Sequence, residues 1–229
     1  MKVCAAIPVY NNKGVLRKTF NRIPKHVFDH IVICDDKSPD GSVDEARSLG
    51  VGVIAHEVNK GYGANQKSLF NNAIENNCDI ICLIHGDGQY PPEMVDEIIK
   101  PINEGVADVV YGSRMMDKGS AKKGGMPLWK RLGNKLLTGI FNYELGINLT
   151  DVATGFIAYH RRVIEQTNWR DFDDRWTFDE SMIMEVAKKK FRIKEIAIPT
   201  YYGEDTSSIG LFDAIKYGLK LTLKVVRES

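Results

Sequence analysis

Short apolar runs alternate with longer amphipathic stretches through the first half of the chain. Residues 3–9, 30–34, 51–55, 79–84 and 108–111 are rich in Val, Ile and Cys. Their length and near-continuous apolarity predict strands buried on both faces. Residues 14–22, 42–49, 64–76 and 92–103 carry apolar side chains near helical spacing, as Leu69, Ala73 and Ile74 do beside a polar face. Such alternation predicts an α/β fold, a mostly parallel sheet covered by helices on both sides. In sheets of this kind the ligand crevice lies past the carboxyl ends of the strands, so polar residues directly after a strand matter most.

The pattern changes after Arg114. Residues 114–135 hold seven basic side chains and one acid, Asp117. Gly119, Gly124 and Gly125 suggest a mobile loop, and an amphipathic helix over 129–145 follows. A strand pair over 157–160 and 192–198 and a helix over 179–190 come next. Residues 211–227 read as a further helix. Lys216, Lys220, Lys224 and Arg227 share one of its faces, and Leu211, Ile215, Leu219, Val225 and Val226 the other. That face is either a core-packing one beside solvated lysines, or part of a surface that meets an anionic membrane.

Composition narrows the function classes. The 229 residues include 31 basic and 30 acidic side chains, 43% hydrophobic and 27% charged residues, the balance of an ordinary globular protein. The net charge of +1 argues against a nucleic-acid partner, which needs a basic excess. The chain reads as one domain, 1–229. No run reaches the roughly 18 apolar residues of a membrane span, and the N-terminal apolar run is too short for a signal peptide. Cys4, Cys34, Cys78 and Cys82 form no zinc pattern and read as reduced core thiols. A cytoplasmic location, at the inner face of a membrane if the basic face docks there, is expected.

Acids recur at strand ends. Asp35 and Asp36 stand at the tip of the second strand, and Asp87 and Gln89 at the tip of the fourth, where Gly86 and Gly88 leave the backbone open. Asp87 with Gln89 would give a hard cation such as Mg2+ or Mn2+ part of its oxygen shell, the rest coming from a diphosphate. Alternatively these acids, Asp40 among them, cap the following helices. NKGYGANQKS (59–68) opens a helix after the third strand and would turn backbone N–H groups toward an anion, although it matches no nucleotide motif in full. No Gly-x-Ser-x-Gly elbow is present, which argues against a serine hydrolase.

Taken together, AAIPVYNN (5–12), VICDDKSPDGS (32–42), NKGYGANQKS (59–68), HGDGQYPPE (85–93), YGSRM (111–115) and TDVATGFIAYHRRV (150–163) resemble the family 2 glycosyltransferases. The likeness is to the branch with dolichol-phosphate mannose synthases and polyprenyl-phosphate glycosyltransferases. It implies a GT-A fold, with residues 1–112 holding a nucleotide-diphosphate sugar donor and 113–229 an acceptor, a lipid phosphate or a glycan. By position, Pro8, Tyr10 and Asp36 would line the nucleoside pocket, and Lys60 and Gly61 would close over it. Gly86 and Asp87 fall in the metal motif, whose first acid is His85 here; Asp87 and Gln89 would hold the metal. Arg114 would contact the acceptor or the donor phosphate, while Ile157 stands where an arginine is common. Asp179 matches an acid of the acceptor side and is the candidate general base if the acceptor is a hydroxyl. Tyr202, Gly203, Ser207 and Ser208 match a later segment, in which 206–209 lack the usual base. The resemblance implies metal-dependent transfer with inversion. A sugar-nucleotide nucleotidyltransferase and a non-catalytic nucleotide-sugar binder are the rivals.

Overall fold

The computed structural model describes residues 1–202 and 210–228. Its centre is a seven-stranded sheet in the order β3-β2-β1-β4-β6-β5-β7. The strands are β1 (Val3–Val9), β2 (His30–Asp35), β3 (Gly52–Ala55), β4 (Ile80–Leu83), β5 (Val109–Ser113), β6 (Ile157–His160) and β7 (Ile193–Ala197). All run in one direction except β6, which is antiparallel to both β4 and β5. Strands β6 and β7, expected as a pair, do not meet. Strand β5 lies between them and pairs with each.

Period-2 alternation divides β1 between two cores. Cys4 and Ala6 face one cluster with Leu69, Phe70, Tyr159 and Trp169, and Val3, Ala5 and Ile7 face the other with Leu16, Phe20 and Ile98. Helices α1 (Val15–Arg22), α2 (Ser42–Arg47) and α4 (Val95–Asn103) cover the second face. Helix α4 does so through Val95, Ile98, Ile99 and Ile102, an i, i+3, i+4, i+7 stripe. Helices α3 (Tyr62–Glu75), α7 (Arg161–Gln166) and α8 (Phe178–Lys188) cover the first. All four cysteines are buried and unbridged.

Two features of the second half depart from expectation. The glycine-rich segment after Arg114 forms a short helix, α5 (Ser120–Lys123), and is held against the body. A Cβ at Gly124 would collide with the Thr200 backbone, and Tyr202 N–H donates to the Gly124 carbonyl at 2.8 Å. The other concerns α9 (Leu211–Glu228), which packs against α6 (Leu128–Leu145). Its apolar residues do not form a single core face, because Leu221 and Val225 are buried while Ile215, Leu219, Leu223 and Val226 are exposed. Helix α6 exposes a matching stripe, Leu128, Leu132, Leu136 and Tyr143. No helix among the described residues is long and apolar enough to cross a membrane.

Candidate active site

Because six strands share one direction, their carboxyl ends line one rim of the sheet, and antiparallel β6 brings its amino end to the same rim. Every candidate chemical residue from the first half falls there. Asp87 follows β4, is 6% exposed, and accepts the Gln89 backbone N–H at 3.0 Å through Oδ1. This local turn is not a helix cap. Helix α4 begins eight residues later, at Val95, with Met94 at its N-cap and no capping side chain. Asp40 does take the structural role, accepting from Ser42 and from Lys13 N–H beside the start of α2.

At the tip of β2 the two acids behave differently. Asp36 is fully engaged: Lys60 N–H and Gly61 N–H donate to its carboxylate at 2.9 and 2.8 Å, and His56 Nδ1 lies 2.7 Å away. It therefore clasps the 59–61 loop to β2. Asp35 accepts from Ser38 N–H through one oxygen, and its other oxygen is buried without a hydrogen bond. Pro8 is buried in β1, and Tyr10, 47% exposed, stands beside the same tip. The glycines of the 59–68 motif meet a steric need. A Cβ on Gly61 or Gly63 would run into the backbone of Asp173 and Asp174, and Ala64 N–H donates to the Asp174 carbonyl at 3.1 Å.

Arg114 follows β5 and is buried. Its guanidinium makes a two-pronged pair with Asp151 (Nε 2.7 Å, Nη2 2.9 Å) and also donates to the Ala153 carbonyl. Burial works against this charge, yet the Asp151 carboxylate holds the Arg114 pKa well above its ordinary value. Nη1 points to Tyr202 Oη at 3.4 Å, and Lys130 Nζ sits 5.1 Å from the Tyr202 ring centroid. Burial and then the neighbouring Arg114 charge lower the Lys130 pKa. Two cations and a phenol thus converge on one spot. Lys130 was missed because it reads in sequence as one of many lysines on an amphipathic helix. Gly203, Ser207 and Ser208 lie outside the described residues.

Asp179, on the first turn of α8, is 9% exposed, and burial raises its pKa to about 7. Tyr62 Oη donates to its Oδ2 at 2.7 Å, while Oδ1 is buried with no hydrogen bond. Beside it, burial and the Asp179 charge raise Glu180 to about 8, with Tyr217 Oη donating to Glu180. His85 approaches Tyr62 Oη at 3.0 Å, and burial lowers its pKa.

A carboxyl whose folded pKa lies above its ordinary 3.8 is a stability liability once ionised. Between about pH 4 and 7 the folded state binds a proton that the unfolded state has released, so stability falls with rising pH until Asp179 is fully ionised. Asp179→Asn is therefore expected to raise stability at pH 8 by up to about 4 kcal/mol and to change it little at pH 4. Thermal denaturation at the two pH values checks this, and an equal shift at both would contradict it.

The family profile described as Glycosyl transferase family 2 matches residues 4–167. The chain belongs to this family. As a family 2 member it is a glycosyltransferase. Relatives include a UDP-N-acetylglucosamine–dolichyl-phosphate N-acetylglucosaminyltransferase of Methanococcus voltae, 29% identical over 89% of this chain and 87% of that protein. An undecaprenyl-phosphate mannosyltransferase of Micrococcus luteus is 26% identical over 86% of this chain and 83% of its own. Among solved structures, glucosyl-3-phosphoglycerate synthase of Mycobacterium tuberculosis, with Mn2+, UDP and phosphoglyceric acid, superposes with a TM-score of 0.74. It covers 99% of this chain and 78% of that one at 15% identity. That likeness shows the GT-A fold.

Family 2 motifs acquire physical meaning here. Within TDVATGF, Asp151 pairs with Arg114 and Thr154 donates to the Gly112 carbonyl at 2.6 Å. Gly155 gives the His85 ring room that a Cβ would fill. No group of three His, Cys, Asp or Glu side chains among the described residues would hold a metal alone. The hard oxygen donors at the β4 tip, the Asp87 carboxylate and the Gln89 amide, instead suit a cation that takes most of its shell from a diphosphate and water.

Proposed function

We propose that this glycosyltransferase moves a sugar from a nucleotide diphosphate to a polyprenyl phosphate, with inversion at the anomeric carbon. The observation that carries the acceptor class is the convergence of Arg114, Lys130 and Tyr202 at the rim. Two cations set beside a phenol suit an ionised phosphate monoester better than a neutral glycan hydroxyl, because the hydrogen bonds to phosphate are charge-assisted. The dolichyl- and undecaprenyl-phosphate relatives support the same acceptor.

On this reading Pro8, Tyr10 and the unpaired Asp35 oxygen line the nucleoside pocket, with Asp36 holding its lid of Lys60 and Gly61. Gly86, where a Cβ would press on Val9 and Leu16, lets the β4 tip lie close under that pocket. Asp87 and Gln89 hold Mg2+ or Mn2+, which would neutralise charge on the departing diphosphate. The acceptor phosphate is already ionised at neutral pH, so its oxygen attacks the anomeric carbon as the carbon–oxygen bond to the diphosphate breaks, and no base is needed. Ionised Asp179 then accepts a hydrogen bond from a hydroxyl of the transferred sugar through its unpaired Oδ1. A second reading, transfer to a glycan hydroxyl with Asp179 as general base, is favoured by that same oxygen and its pKa of about 7.

The exposed apolar stripes of α6 and α9, bordered by Lys135, Lys216 and Lys220, suit peripheral contact with the membrane that carries the acceptor. The test is sugar transfer from a panel of nucleotide sugars to a short polyprenyl phosphate in the presence of Mn2+. Lys130→Ala is expected to raise the acceptor KM about 10- to 100-fold, the worth of one charge-assisted hydrogen bond, with the donor KM nearly constant. Turnover with glycans alone, or an unchanged acceptor KM, would overturn the phosphate assignment.

A further inference from the structure

The glycine pair of NKGYG, the histidine in the metal motif and Asp179 lie far apart in sequence, yet one phenol joins them. Tyr62 is the first residue of α3, and Gly61 and Gly63 on either side are pressed against the 173–174 backbone too closely for any Cβ. Its ring stacks on Trp176, with centroids 5.7 Å apart and planes 9° from parallel. A phenol has one proton and two acceptor positions. The proton goes to Asp179 Oδ2 at 2.7 Å, and Gln66 Nε2–H donates to the oxygen at 2.7 Å. The remaining position faces His85 Nε2 at 3.0 Å. With its proton committed to ionised Asp179, Tyr62 must accept from His85, which fixes His85 as the Nε2–H tautomer.

We propose that Tyr62 is the positioning residue for Asp179, and that His85 and Gln66 serve Tyr62 rather than the cation. The glycines aim the ring, Trp176 braces it, and the two donors leave its proton no other destination. The inference rests on the reading of ionised Asp179 as a working carboxylate of this glycosyltransferase. It explains the change from acid to histidine in the metal motif. A carboxylate at position 85 would compete with Asp179 for the single Tyr62 proton, whereas an imidazole N–H donates into it.

The groups that face Asp179 leave Tyr62 as its donor. Glu180 on α8 has its own donor in Tyr217 of α9, and Lys224 of α9 donates to Ser181. The hydroxyls of Tyr111 on β5 and Tyr159 on β6 lie buried nearby, and neither donates to Asp179. A hydrogen bond to an ionised group is worth about 1.5–3 kcal/mol, which corresponds to about one to two pH units.

The test is the pH dependence of kcat for wild type, Tyr62→Phe, His85→Gln, His85→Leu and His85→Asp, with Mn2+ affinity measured in parallel. Tyr62→Phe is expected to move the acid limb up by about one to two units, to lose about tenfold or more in kcat near pH 7, and to recover at high pH. Donor KM should change little. His85→Gln, which keeps an N–H donor, should stay near wild type, while His85→Leu follows Tyr62→Phe. His85→Asp should lose kcat even where Mn2+ binds as well as before. A wild-type acid limb in Tyr62→Phe, beside an inactive Asp179→Asn, would overturn this inference alone. A fully active Asp179→Asn would overturn the reading of Asp179 and the inference with it. Restored or increased turnover in His85→Asp, with tighter Mn2+ binding, would return His85 to the metal.

Discussion

Arg114→Met is expected to cost about 3–5 kcal/mol of stability, the usual penalty for removing one partner of a buried ion pair. Asp151 is fully buried, and the two guanidinium contacts are its only charged partners among the described residues. Without them a carboxylate held below its ordinary pKa by Arg114 would sit uncompensated beneath the rim, with Asn134 Nδ2 at 2.6 Å as its main remaining side-chain donor. For a chain of this size the loss corresponds to a fall in Tm of roughly 10 °C. Arg114→Met combined with Asp151→Leu should recover much of it, because two apolar groups of similar volume replace the pair. A single variant with near-wild-type Tm would show that the pair contributes little. The point matters for function because Arg114 reads in sequence only as a phosphate contact. In the structure it is chiefly a strut, and a single edge of it, Nη1, is turned toward Tyr202.

That contrast describes what the sequence could and could not convey. Strand tips were readable because burial on both faces leaves a continuous apolar run that ends abruptly in polar residues. Asp35, Asp36 and Asp87 stand out for that reason. The helices of the first half were readable from spacing, although α3 starts at Tyr62, two residues earlier than the apolar pattern suggests. The insertion of β6 between β4 and β5 was not readable, since a four-residue strand carries no sign of its direction or neighbours.

Site chemistry divided in the same manner. Asp87 was legible from its glycine neighbours and its position. The partners of Asp36 were not, because the loop N–H groups that satisfy it lie more than twenty residues away. Lys130 was hidden among the other basic residues of 114–135, and only the packing of α6 beside Tyr202 singles it out. The glycines at 61 and 63 read as phosphate-cradling, yet the chain segment that needs their missing side chains lies over a hundred residues later. The two apolar sets of α9 share a helix but not a face, and the positions of α6 and α8 decide which set is covered.

The second large effect concerns Asp87. This carboxylate is the one hard, charged oxygen donor of the β4 tip, and no helix depends on it for a cap. Removing it should cost turnover about 100- to 1,000-fold, the usual loss when a group stabilising a leaving charge is deleted. Stability should change far less than turnover, since no helix is capped by this side chain. Calorimetric titration of nucleoside diphosphates into wild-type protein and Asp87→Ala, with and without Mn2+, tests this most directly. Binding that requires Mn2+ in the wild type and is lost in a folded Asp87→Ala protein is the expected result. Equal binding by both proteins, or binding indifferent to the cation, would contradict the account.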